Sequence, residues 1–136
     1  MEYYKTMSTM HYIELLPVLN SQSAGEEAAD YICKLNIRGN ISIENAHEIA
    51  VLVRALMDGG FKRIIFNLEN LNFIDSTGIG IIIRIKKNCM QKGSGDIVLY
   101  NVPPKINEVF DLVNLKDFVK ISYSEQKALE YLTTVS

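Results

Sequence analysis

Apolar residues fall along the chain in blocks whose spacing switches between the period of two typical of a strand and the period near 3.6 of a helix. Tyr12 to Leu19 reads as a first strand, and Ser21 to Ala29 as a polar, small-residue connection. From Tyr31 to Arg38 the odd positions carry Tyr31, Cys33, Leu35 and Ile37 and the even ones are mostly polar, so the odd residues share one face of a second strand. Ala46, Ile49, Ala50, Val53, Leu56 and Met57 form one helical stripe that stops at Gly59 and Gly60. Asn45, with Glu48 three residues on, has the form of a capping box at its start.

Arg63 to Leu68 is almost continuously apolar, as a strand covered on both faces should be, and it reads as the centre of a sheet. A turn from Asp75 to Gly80 leads into a helix with Ile79, Ile82, Ile83 and Lys86 at helical spacing, stopped by Gly93-Ser94-Gly95. Ile97 to Val102 gives another strand, and Pro103-Pro104 opens a helix with the stripe Ile106, Val109, Phe110 and Val113. Phe118 to Ile121 is a short last strand, after which Ser124 caps a terminal helix packed through Ala128, Leu129 and Leu132. The expected fold class is therefore α/β: a mixed, mainly parallel β-sheet of about five strands packed with about four helices.

The chain has 136 residues, 48 % of them apolar, which is enough for one sizeable core and too few for two ordinary domains. Residues 1–136 are expected to form one domain, with 1–10 as an N-terminal extension. A formal net charge of −2 spread along the sequence offers no basic stripe, so nucleic acid is not an expected partner. The acidic and basic residues among Met1 to Asn20 argue against a secretory leader, and the run from Ile79 to Ile85 is too short to cross a bilayer. Cys33 and Cys89 stand apart from other Cys and His, as buried thiols in a reducing compartment do, and a cytoplasmic protein with no membrane partner is expected. No phosphate-cradling, zinc-protease or dinucleotide motif is present, so no cofactor or metal is expected and any nucleotide belongs to a partner. The two histidines, His11 and His47, fall on an early strand and the first turn of a helix, and no nucleophile elbow surrounds Ser76, so an enzyme is not expected.

The segment Phe66-Asn67-Leu68-Glu69-Asn70-Leu71-Asn72-Phe73-Ile74-Asp75-Ser76-Thr77-Gly78-Ile79-Gly80 carries a resemblance. It is similar to the STAS domains, the family named for sulphate transporters and anti-sigma factor antagonists. With the strand and helix order, the Gly39 turn before the first helix, and Phe110, Leu112 and Leu115 downstream, the likeness covers roughly residues 10 to 133. In soluble members of the anti-sigma factor antagonist type, the serine after this aspartate is phosphorylated by an anti-sigma factor that is itself a kinase, and phosphorylation releases the partner. The resemblance thus implies Ser76 as the phosphate acceptor, with Thr77 as the alternative. It implies a partner surface of Asp75, Ser76, Thr77, Gly78, Ile79 and Gly80, joined by Ser42, which stands where many members have an acid that engages the kinase. The implied partners are an anti-sigma factor with serine kinase activity and a PP2C-type phosphatase, with the chain itself a monomer or weak dimer.

Elementary chemistry makes such a role sensible. A serine opening a helix sits beside backbone N–H groups without helical partners, where the helix dipole favours an anion. The same residues also have a plainer reading, in which Asp75 and Ser76 only cap a helix and the glycines only allow tight packing. Within the family the alternative roles are a scaffold in a stress-sensing complex, a subunit of a lipid-transport system, or a module that binds a small ligand. Asn67, where a frequent aspartate would stand, is explained most simply as a satisfied buried amide.

Overall fold

The computed structural model describes residues 11–18, 27–91 and 95–134. Among them the chain forms β1 (His11–Pro17), β2 (Tyr31–Ile41), α1 (Ala46–Asp58), β3 (Arg63–Ile74), α2 (Ser76–Gln91), β4 (Asp96–Tyr100), α3 (Pro104–Leu112), β5 (Lys120–Ser122) and α4 (Glu125–Thr134). The strands lie in the order β1-β2-β3-β4-β5, with β1 antiparallel to β2 and every later pair parallel. That is the expected mixed sheet, with β3 at its centre. Because each parallel step moves one place in the same direction, right-handed crossovers put the linking helices on one face of the sheet.

Burial follows this arrangement. Cys33, Leu35, Ile37, Ile64, Phe66, Leu68, Ile97 and Leu99 meet Ile49 and Val53 of α1, Ile81, Ile82 and Ile85 of α2, and Ile106 and Phe110 of α3 in one core. On the opposite face α4 covers a smaller cluster, with Ala128 and Leu132 against Ile32, Ile65 and Val98. Each fully buried Ile, Leu or Phe contributes about 1.5–3 kcal/mol, so the period-two alternation of β2 and β4 supplies both layers at once.

Several boundaries differ from the sequence reading. Strand β2 does not turn at Gly39; it runs on to Ile41 through register shifts against β3, and Gly39 takes a φ of 86° beside the irregularity, a backbone conformation that L side chains rarely adopt. Helix α2 starts at Ser76, so the residues expected to form a turn are its first turns, and its stripe adds the buried Ile81 and Ile85 to Ile79 and Ile82, with Ile83 half-buried against the same core. The amide of Asn45 does not cap α1. Its Oδ1 accepts the Ser42 N–H at 2.8 Å and its Nδ2 donates to the Asn40 carbonyl at 2.6 Å, closing the β2–α1 loop. Ser124 does cap α4, its Oγ accepting the Lys127 N–H at 3.1 Å. The connection at 21–26 and the stop at 93–94 lie outside the described residues.

A buried polar knot ties the two layers together. Lys86 of α2 pairs with Asp96 at the start of β4, and Tyr131 of α4 donates its hydroxyl to the other Asp96 oxygen at 2.6 Å. Burial, helped by this bond to a carboxylate, pushes the Tyr131 hydroxyl up to about 12. Removing one partner of such a pair leaves the other charge uncompensated in a dry place. Lys86→Met is expected to lower the unfolding free energy by about 3 kcal/mol, read from the midpoint and slope of a urea titration.

Candidate functional site

At the carboxyl edge of the sheet the end of β2, the β2–α1 loop, the end of β3 and the first turn of α2 meet. Asp75 joins them. One of its carboxylate oxygens accepts the Gly78 N–H at 2.9 Å, capping α2, and the other accepts the Ile43 N–H from the loop at 3.0 Å. Its own N–H donates to the Ile41 carbonyl at 3.2 Å. These N–H donors, Gly78 first and Ile43 second, hold the Asp75 carboxyl below the usual carboxylate range, so it is ionised near neutral pH.

The following residues sort by the turn of the helix. Ser76, Thr77 and Gly80 are exposed, whereas Gly78 and Ile79 face inward. Within the described residues the Ser76 hydroxyl makes no hydrogen bond. The two glycines have different causes. A Cβ on Gly78 would stand 2.3 Å from the Ile41 carbonyl oxygen, so only glycine lets α2 start this close to β2. A Cβ on Gly80 would meet nothing within 4 Å. Packing therefore explains Gly78 and not Gly80, whose missing side chain leaves a low spot one helical turn beyond Ser76.

Ser42 is only 5 % exposed, and its Oγ accepts the Glu44 N–H at 3.3 Å inside the loop. The side chain that the loop turns outward is its neighbour Ile43, 75 % exposed. On the other side Phe73, two residues before Asp75, is 54 % exposed. These two apolar side chains lie beside the Asp75–Ser76 corner and are absent from the partner surface expected from the sequence. A signal for each existed. Ile43 is an apolar residue between Ser42 and Glu44 in a turn, and Phe73 precedes Ile74 in a strand, where successive side chains cannot both face one core. Asn67 is buried and satisfied, its Nδ2 donating to Asn36 Oδ1 at 2.7 Å and its Oδ1 accepting the Glu69 N–H at 3.2 Å.

The other candidates lie apart from this corner. His47 is exposed on α1, and the side chain of His11 lies outside the described residues. Cys33 and Cys89 are buried free thiols, and burial pushes Cys33 up to about 11. Among the described residues no cluster of Cys, His, Asp and Glu could hold a metal ion, and no helix is long and apolar enough to cross a membrane.

Residues 26–128 match the family described as the STAS domain. A Paenibacillus polymyxa protein named anti-sigma F factor antagonist is 34 % identical over 101 residues, covering 71 % of this chain and 86 % of that one. A Thermotoga maritima crystal structure, of a protein described as a candidate anti-sigma factor antagonist, superposes with a TM-score of 0.71 at 26 % identity, covering 88 % of this chain and 93 % of that one. Bacillus SpoIIAA, solved in its phosphorylated form, shares the fold with a TM-score of 0.57 at 19 % identity, covering 89 % of this chain and 99 % of that one.

Two predictions follow from the geometry of this corner. Gly78→Ala should cost about 1–3 kcal/mol through the clash with backbone, while Gly80→Ala, in open space, should add roughly 0.5–1 kcal/mol by helix propensity; urea unfolding of the pair reads both signs. The lowered pKa of Asp75 means that its contribution is complete above the unfolded carboxyl pKa near 3.8 and is lost as pH falls through the lower folded value. The stability gap between the wild type and Asp75→Asn should therefore be widest near pH 7 and close below pH ~3.8, measured by thermal unfolding across pH.

Proposed function

Because the chain belongs to the STAS domain family, we propose that it is an anti-sigma factor antagonist that binds its anti-sigma factor while Ser76 is unmodified and lets go when Ser76 carries a phosphate. The observation that carries this reading is the exposed Ser76 hydroxyl at the first position of α2, without a hydrogen-bond partner among the described residues and next to an ionised, immobilised carboxylate. A phosphotransfer enzyme can reach that oxygen without disturbing the core, and Thr77, also exposed, is the alternative acceptor.

The corner has the composition of a docking centre. Ile43 and Phe73 supply apolar anchors that become buried on contact, and Gly80 leaves the helix surface low enough for a partner's backbone to approach. Asp75 is charged and already committed to two N–H donors, so its remaining capacity faces outward toward a basic group. A phosphate on Ser76 adds nearly two negative charges beside it. Like-charge repulsion and the cost of drying three more acceptor oxygens, together about 3 kcal/mol, weaken the complex on the order of a hundredfold. Ser42, being buried, acts here through loop shape and not by touching the partner.

On this reading the partner is an anti-sigma factor with serine kinase activity, a PP2C-type phosphatase resets the switch, and the protein acts in the cytoplasm as one domain. The nucleotide, and the catalysis, belong to the kinase. Incubation with the cognate kinase and ATP should add one phosphate, mapped by mass spectrometry to Ser76. In a binding titration against that kinase, Ser76→Ala should keep wild-type affinity and Ser76→Asp should lose on the order of tenfold or more; equal affinities for the two variants would instead support a scaffold without a switch.

A further inference from the structure

Helices α1 and α2 run side by side on the sheet, and between them lies a half-open groove of about 450 Å³. Its volume falls within the range of roughly 300–1,000 Å³ typical of small-molecule sites. Ala50, Val53, Met57, Ile81 and Ile85 make an apolar floor continuous with the main core. Its length follows from the helices: the lining runs from His47 to Met57 on α1 and from Ile81 to Gln91 on α2, about 15 Å at 1.5 Å per residue.

The rim is cationic. Arg54 projects from α1 and Arg84 from α2, both exposed, and neither forms a hydrogen bond or ion pair among the described residues. No acidic side chain lines the groove; His47, Asn88 and Gln91 complete its polar edge. Two guanidiniums on opposite walls of an apolar trough, with no carboxylate among its lining residues, call for an anion. The floor calls for an apolar body on that anion. A double-chained lipid exceeds the available volume, and a hydrophilic anion leaves the floor wet.

From this combination we infer that the α1–α2 groove is a binding site for a single-tailed amphipathic anion: one acyl or alkyl chain along Val53, Met57, Ile81 and Ile85, with a carboxylate or phosphate head held between Arg54 and Arg84. Ser76 is not among the residues that line this site.

The inference is tested on the full chain with dodecanoate, dodecyl phosphate and dodecanol below their micelle-forming concentrations, followed by amide chemical-shift titration and calorimetry. Both anions should saturate at one per chain with shifts centred on the groove residues, and the tighter of the two identifies the head group. Dodecanol should bind at least tenfold more weakly. Arg54→Gln and Arg84→Gln, at exposed positions that do not threaten folding, should each weaken the anions at least tenfold, and Ala50→Leu, which fills the floor, should abolish binding with both arginines intact. Equal binding of dodecanol, unchanged affinity in both arginine variants, or no saturation would overturn the assignment. So would tighter binding to phosphatidylglycerol vesicles, or to a glutamate-rich amphipathic peptide, than to either single-chain anion; the first would mean adsorption to a lipid surface and the second a protein-docking face.

Discussion

A single carboxylate holds the Asp75–Ser76 corner of this protein in shape. Asp75 receives one N–H from the first turn of α2 and another from the β2–α1 loop, so a loop residue 32 positions earlier in sequence is pinned to the side chain that caps α2. Its backbone N–H completes the junction by bonding to the last residue of β2. A neutral side chain could satisfy one of these donors. Two oxygens are needed to take both, at 2.9 and 3.0 Å, and the lowered pKa is the electrostatic record of that arrangement.

What surrounds Asp75 depends on this pinning. The loop can present Ile43 outward because its backbone is already held, and Ser42 and Asn45 spend their polar groups inside the loop. Gly78 lets α2 approach the Ile41 carbonyl so closely that the helix start cannot slide. Ser76 therefore projects from a rigid seat, and a phosphate placed there changes the charge of a surface whose shape is already set. A docking surface that is preorganised loses little entropy on binding, which makes its affinity sensitive to a local change in charge.

Much of this was legible in the residues. The five strands and four helices among the described residues were located in order, because β2 alternates, β3 and β4 are short apolar runs bounded by turn residues, and the helices carry apolar stripes. The Asp75–Ser76 corner was legible through family likeness and through the chemistry of a helix start. Other details were not, for physical reasons. Asn45 has the sequence of a cap, yet its amide is drawn backward to the Ser42 N–H and Asn40 carbonyl that the end of β2 leaves open, a choice between competing partners that local pattern does not decide. The inward turn of Ser42 and outward turn of Ile43 depend on the bond from Ile43 to Asp75, a contact invisible until the chain is folded. The groove between α1 and α2 likewise arises from how two stripes face each other, and each stripe alone reads as ordinary core.

On the proposed reading, phosphate on Ser76 acts by adding charge to a fixed surface. The direct measurement is amide hydrogen exchange at Ile43 and Gly78, comparing the unmodified protein with the protein phosphorylated at Ser76. Protection at both amides should be unchanged to within a few-fold while affinity for the anti-sigma factor falls. Loss of protection at either amide on phosphorylation would show that the Asp75 junction opens, and that release comes from local unfolding instead.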